Sequence, residues 1–422
     1  MTKVGTFRRL PIFIAVLVFV LLPAFVWASG QGEGAGKAKP KVTFYWALYD
    51  GLTEDYRASL QDAFMKANPD IQLDIVPIAW DQLHDKLTTS LAGGQPPELS
   101  VIGTRWLLEF MSLNAIADPA KYASQATLDN ILPGAKEAVV GGKLMGLPVA
   151  AGARFLAVNK SLATKIPATM EELEQDAIAA NSPDHAGLIM PGKKHTELTD
   201  FAYYFYAAGG DFFATNADGS YGKSTVNSEA GIKALTFMNK LANVDKVVQT
   251  GYLGQTRMEA HPVFYAGKAA YVMIGAWVES SMKQAGSNFQ VEYGQIPGFA
   301  GHKSAPLIIT DSIAFFSGAK NLPAAGKFID FFYKADWKGK FDQLIGFPPV
   351  TKDAASLPFF QTPLYKTMGE AAVNAKGWPL IDGWAEDSDT IWDAVSKVYL
   401  GQATPKAALD EAAAKIDKSR GL

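Results

Sequence analysis

The sequence predicts an α/β protein of two lobes, and three observations carry the prediction. A chain of 422 residues is longer than one hydrophobic core ordinarily supports. From Lys41 onward, strand-like and helix-like periodicities alternate, an order that builds parallel sheets flanked by helices. Finally, Lys143 to Lys160 reads as one element passing out of a finished half and into a new one. Gly146 and Pro148 punctuate its start, and Val149, Phe155, Leu156 and Val158 resume a strand-like apolar run. A strand shared by two lobes would set Ala151 to Arg154 at the floor of a cleft; an ordinary buried strand is the alternative.

The N-terminus stands apart from the fold. Lys3, Arg8 and Arg9 precede an apolar run from Leu10 to Trp27, and Val26 and Ala28 have the small-residue pattern of a cleavage site. Residues 1–28 are therefore expected to be a secretory signal peptide cut after Ala28, with retention as a membrane anchor the alternative because the run is about long enough to span a bilayer. Residues 29–40 are Gly-rich and expected to be a flexible leader. The chain has no cysteine, which excludes disulfides and attachment of lipid through a cysteine at the cleavage site. Removing three basic residues leaves 36 basic against 42 acidic, a net charge of −6. No basic stripe is available to neutralise phosphates, so nucleic acid is not an expected partner.

Val42 to Trp46 reads as the first strand. The loop from Ala47 to Thr53 leads into a helix with Tyr56, Leu60 and Phe64 at helical spacing, stopped by Asn68-Pro69. Ile71 to Ile78 is the second strand, about Asp81 to Ala92 the second helix, and Leu99 to Ile102 the third strand. In such sheets ligands sit beyond the carboxyl ends of the strands. Those ends carry Trp46 with Tyr49 and Asp50, then Trp80 with Asp81, then Arg105 with Trp106. Single tryptophans at strand ends are usually lids of a core, but their coincidence with Asp and Arg favours a binding role. Further along, Thr169 to Ala180 is a helix with a capping box at Thr169 and Glu172, Phe201 to Ala208 an aromatic helix containing Tyr204, Asp218-Gly219 a turn, and Ser228 to Leu241 a helix. Ala269 to Ile274 is a buried strand ending at Gly275-Ala276-Trp277, where small residues let a ligand approach. Leu307 to Phe316 is strongly β, interrupted at Thr310-Asp311-Ser312. Helices dominate thereafter, apart from a loop between Trp378 and Trp384.

Motifs for catalysis are missing. The sequence contains no GxSxG, HExxH or Walker-type loop, and its five histidines (His84, His185, His195, His261, His302) lack zinc-site spacing. No metal or other cofactor is expected, and no enzymatic activity. Asp382, Glu386, Asp387 and Asp389 beside Trp384 are the best glycosidase candidates, although acids at a helix N-terminus have a simpler explanation in the helix dipole. Aromatics mixed with Asp and Arg suit a neutral polyhydroxylated ligand, whose C–H faces pack on indoles while its hydroxyls meet planar charged groups.

The chain resembles the extracellular solute-binding proteins of family 1, the carbohydrate-binding components of ABC importers, similar in layout to maltose-binding proteins. The resemblance rests on Trp46 with Asp50, on LAGGQPPELSVIG before Arg105-Trp106, on GLPVAAGARFLAVNKSL, on FYAGKAAYVMIGAW ending at Trp277, on SIAFFSGAKNLPAAGKFIDFF, and on YLGQATPKAALDEAAAKI. It implies a two-lobed periplasmic-binding-protein fold, each lobe a mostly parallel sheet flanked by helices, joined by hinge strands and closing on ligand. The expected lobes are residues 41–150 with 304–343, and 151–303 with 344–422; further crossings are expected near Pro297 to Ala305 and near Leu344 to Phe347. By position, Asp50, Arg105, Trp106 and Trp277 fall where such proteins touch sugar; Trp46, Trp80, Arg154, Tyr204, Trp378 and Trp384 complete the expected site. The implied partners are a small carbohydrate and the permease subunits of an ABC transporter, and the protein is expected to be a periplasmic or secreted monomer. A polyamine or peptide ligand, a secreted glycosidase and an extracellular sensor subunit are the alternatives.

Overall fold

The computed structural model describes residues 39–135, 137–194, 198–217 and 220–422. The expected signal peptide, most of the leader and the Asp218-Gly219 turn lie outside the described residues. Strand β1 (Lys41–Ala47), helix α1 (Glu54–Ala67), strand β2 (Gln72–Ile78), helix α2 (Trp80–Ala92) and strand β3 (Leu99–Gly103) follow one another as the periodicities require. Val42, Phe44 and Trp46 alternate inward along β1, and Thr53 caps α1 by accepting a hydrogen bond from the Tyr56 N–H at 3.3 Å. β1 pairs in parallel with β2 from Lys41↔Gln72 to Ala47↔Ile78 and with β3 at Phe44↔Leu99.

Beyond β3, the first sheet is completed by Ile308–Phe316, a strand from much later in the chain. It runs antiparallel to β3 and to Leu147–Ala153. Thr310-Asp311-Ser312 does not interrupt it: the strand is continuous, and the register against Leu147–Ala153 shifts between Asp311 and Ser312 instead. A polar triplet that looks like a break in the sequence is absorbed as a local irregularity in the ladder.

The second sheet has the order Val291–Gly294, Phe155–Asn159, Ala269–Ile274, Ala186–Ile189. The expectation of mostly parallel pairing is corrected in both sheets: among the described residues the first has two parallel pairings against three antiparallel ones, and in the second one pairing of three is parallel. That pairing is Ala269–Ile274 with Ala186–Ile189, and the other two are antiparallel. Both antiparallel pairings of the second sheet are made by Phe155–Asn159, the strand that enters directly from the first sheet, and it runs opposite to its neighbours.

The passage between sheets takes one residue. Ala153 pairs with Ile308 in the first sheet and Phe155 with Ile274 in the second, so Arg154 stands between them, its N–H donating to Leu307 O at 2.8 Å. A return passage runs from Gly294 to Ile308. Helix Ala335–Ile345 ends at Gly346, which adopts φ +75°. The chain then stays beside the first half, where Leu132 N–H donates to Val350 O at 2.9 Å and Thr351 bridges Ile131. Only after helix Pro363–Ala372 does it reach helices Trp384–Tyr399 and Pro405–Ser419, which pack into the second core.

Two buried clusters hold the fold. One gathers β1, β3 and one face of the second sheet, including Phe155 and Ala157; the other takes the opposite face, including Leu156 and Val158, with the aromatic helix Thr199–Ala207. Alternation along a single strand thus divides its side chains between two cores.

Candidate functional site

The loop after β1, the start of α2 and the turn Thr104–Trp106 after β3 lie side by side because β2, β1 and β3 are neighbours in one sheet. Tyr49, Asp50, Trp80, Arg105 and Trp106 are thereby gathered. The Tyr49 hydroxyl donates to Asp311 Oδ2 at 3.0 Å, and the Tyr49 ring meets Trp80 edge-on at 5.4 Å. Trp80 meets Trp106 at 6.1 Å. His84, one turn along α2, packs its ring 5.0 Å from Trp106 and hydrogen-bonds Glu109 Oε2 through Nε2 at 2.9 Å. The guanidinium carbon of Arg105 lies 4.8 Å from the Trp106 ring centroid. Gly103 makes room for it, since a Cβ there would approach Arg105 Nη1 to 2.2 Å.

Elements tied to the second sheet face this wall. Arg154 comes from the inter-sheet passage, Trp277 from the turn after Ala269–Ile274, Arg257 from the first turn of helix Arg257–Tyr265, and Trp384 from the start of its helix. The guanidinium carbons of Arg154 and Arg257 each lie 4.5 Å from the Trp277 ring centroid.

Among the described residues, two cavities between the walls are bordered by the indoles. The wider, about 250 Å³, is lined by Trp80, His84, Arg105 and Trp106 on one side and by Lys194 and Trp384 on the other; Lys194 pairs with Asp389 at its edge. The narrower, about 30 Å³, is bounded by Tyr49, Asp50 and Trp80 opposite Arg154, Arg257 and Trp277. It is room for roughly one water molecule. Trp80 borders both.

The ionisable groups are balanced in sign. Burial raises the Asp50 carboxyl above its usual range, and Arg257 and then Arg154 oppose the shift. Burial likewise raises Asp200, on the first turn of the aromatic helix, to about 7, again opposed by Arg257 and more weakly by its own backbone hydrogen bond and Arg154. Tyr49 is held well above the ordinary phenol range by burial and by the neighbouring Asp311 carboxylate. The arrangement offers flat apolar rings beside guanidinium donors and carboxylate acceptors, which is what a solute with both C–H faces and hydroxyls requires.

Of the ten residues expected from sequence, Asp50, Trp80, Arg105, Trp106, Arg154, Trp277 and Trp384 border these cavities. Three do not. Trp46 is fully buried among Phe44, Tyr56, Phe332 and Phe341, because β1 continues past it to Ala47 and its register places it on the inward face with Val42 and Phe44. Tyr204 is buried in the second core against Phe237. Trp378 stands behind Trp384 at 5.5 Å, and Phe212 braces both.

Sequence reasoning missed Arg257, Asp200, His84 and Lys194. For Arg257 a local signal exists: Thr256 and Glu259 form a capping box, with Glu259 Oε2 accepting from the Thr256 N–H at 2.8 Å, which places Arg257 at a helix start. Nothing local indicates that this start faces the cleft.

Comparison with known proteins gives the family and the fold. A family model described as bacterial extracellular solute-binding protein matches residues 59–367. A relative from Brucella abortus (strain 2308) is 31% identical over 402 residues, covering 93% of this chain and 95% of that protein. The galactooligosaccharide-binding protein of Bacillus subtilis (strain 168) is 26% identical over 65% of this chain and 66% of its own length. Among solved structures, maltose-bound T. maritima MalE3 superposes with a TM-score of 0.79 at 22% identity, covering 89% of this chain and 99% of that one. The Thermus thermophilus maltotriose-binding protein, bound with maltotriose, gives 0.79 at 22% identity, covering 90% and 99%. These two structures match the two-lobed α/β architecture. The extent of the family match and the identity to the Brucella relative establish that this chain belongs to the bacterial extracellular solute-binding protein family.

Proposed function

We propose that the protein captures a neutral mono- or oligosaccharide between its two lobes and delivers it to an ABC import permease in the membrane, without catalysis of its own. The observation that carries this reading is the wider cavity. Indole rings border it from both sides, Trp80 and Trp106 opposite Trp384, with charged groups of both signs between them. The Bacillus subtilis relative, named for binding galactooligosaccharide, supports the same class of solute. In the narrower cavity Arg154 and Arg257 balance Asp50 and Asp311, which leaves no surplus of carboxylates there for the charge of a polyamine.

The proposed site comprises Asp50, Trp80, Arg105, Trp106, Arg154, Trp277 and Trp384 as read from sequence, with Arg257, Asp200 and Lys194 added. The lobes are taken as residues 41–150 with about 304–353, and 151–303 with the C-terminal helices. The second boundary moves past Leu344 because Val350 and Thr351 are tied to Leu132 and Ile131. Secretion through a signal peptide cut after Ala28, a free periplasmic monomer and closure of the lobes on solute complete the reading.

A thermal-shift screen over mono- and oligosaccharides tests it. A sugar that binds only the folded form raises the melting temperature progressively with concentration. No shift with any sugar, together with a shift from a polyamine or a peptide, would reject the reading.

A further inference from the structure

Trp277 is only 3% exposed, and two guanidinium groups lie over its ring at 4.5 Å each. His261 and Phe347 lie near-parallel to the same ring, each at 6.2 Å. An indole enclosed in this way does not offer a sugar ring the open face that stacking needs. It does offer what arginine needs, because a planar, weakly hydrated guanidinium packs favourably on an aromatic face.

The neighbourhood is built to keep this stack. Gly275 is required for it: a Cβ there would lie 2.1 Å from Trp277 Cζ3 and 2.3 Å from Arg154 Nη1. The capping box of Thr256 and Glu259 fixes the backbone from which Arg257 departs. Two like charges over one ring repel each other, and the repulsion is offset by Asp50, from the opposite wall, and by Asp200, whose carboxyls both lie within the field of the two arginines. Asp50 and both arginines border the same narrow cavity, and Arg257 with Asp50 also borders an adjoining space of about 350 Å³.

We propose that Trp277 is a positioning residue, not a sugar platform: it holds Arg154 and Arg257 as a paired guanidinium fork facing Asp50, and Arg257 determines specificity by reading the solute's hydroxyls. This rests on the carbohydrate reading above. A sugar hydroxyl can accept from a guanidinium N–H while donating to a carboxylate, so a hydroxyl entering the narrow cavity in place of a water satisfies fork and carboxylate together without adding charge. Lysine cannot replace Arg257 in this role, since an ammonium is neither planar nor forked.

Two measurements decide the proposal. In the ligand-free protein, the Arg257 Nε–H resonance is expected upfield of its free-arginine position because of the indole ring current. The shift is expected to survive, reduced, in Trp277→Phe and to vanish in Trp277→Leu. Calorimetry with the best-binding sugar of a panel of common monosaccharides together with maltose, maltotriose and galactooligosaccharide is the second measurement. Trp277→Phe, which keeps a flat ring beneath the arginines, is expected to lose less affinity than Trp277→Leu, while Arg257→Lys and Arg257→Met each lose roughly tenfold or more, a difference of about 1.4 kcal/mol. An unshifted resonance in the wild type overturns the proposal, as does Trp277→Phe losing as much affinity as Trp277→Leu. If the wild type binds no sugar of the panel, the carbohydrate reading fails, and Arg257's role as reader fails with it; the resonance still decides whether Trp277 holds the arginines.

Discussion

Tyr49 donates its hydroxyl to Asp311 across 262 positions of sequence, at 3.0 Å and in a buried setting. The bond ties the loop after β1 to the long strand Ile308–Phe316 that pairs with the inter-sheet passage, so the loop bearing Asp50 is anchored to the floor of the cleft. Tyr49→Phe is expected to cost about 1.5–3 kcal/mol, the range for a hydrogen bond to a charged group. Urea denaturation would read it as a lowered midpoint with an unchanged slope.

Gly275 is a second point where local chemistry sets the site. With a Cβ at 2.1 Å from Trp277 and 2.3 Å from Arg154, Gly275→Ala is expected to displace both side chains and weaken sugar binding about tenfold or more. The expected fold is unchanged by far-ultraviolet circular dichroism. Gly94→Ala is not a matched control, since Gly94 adopts φ +65°; Gly369→Ala, in open space within a helix, should leave affinity unaltered.

The buried pair Lys338–Asp342, one turn apart on helix Ala335–Ile345 and with both side chains 0% exposed, makes a different kind of prediction. Burial pushes the Asp342 carboxyl up and the Lys338 ammonium down, and each opposes the other's shift. Removing one partner, as in Lys338→Met, leaves an uncompensated buried charge and is expected to cost about 3–5 kcal/mol. The double variant Lys338→Met with Asp342→Leu should recover most of that loss. Equal losses in the single and double variants would show that packing, not charge, dominates there.

Asp200 gives a pH signature. Its carboxyl is raised to about 7 by burial, against about 3.9 in an unfolded chain. Between these values the folded state holds a proton that the unfolded state has released, so this group's contribution falls as pH rises from about 4 to 7 and is flat above. Asp200→Asn is expected to remove that slope from the stability profile. A denaturation series across pH checks it, and an unchanged slope in the variant would contradict the assignment.

Much of the first half is legible in sequence because its forces are local. Alternation in β1 and β2 and the 3.6-residue spacing of Tyr56, Leu60 and Phe64 specify their elements directly, and the Gly and Pro residues before Val149 mark the passage at Arg154. The same alternation, followed one residue further, would have placed Trp46 inward with Val42 and Phe44. What stays hidden depends on long-range placement. Nothing near Arg257 in sequence indicates Trp277, twenty positions away, and the run of aromatics around Tyr204 serves a core that forms only when Phe237 and Tyr399 arrive from later helices. The tie between Val350 and Leu132 is equally invisible, because a single backbone hydrogen bond leaves no pattern in side chains.

The central claim is that a sugar is held between the Trp80–Trp106 wall and Trp384. Its most direct measurement is a calorimetric titration of the best-binding saccharide into the wild type and into Trp106→Ala, each confirmed folded beforehand. The expected result is a loss of about 2 kcal/mol or more, in the range of aromatic residues that dominate binding. An affinity unchanged by removal of Trp106 would contradict the account.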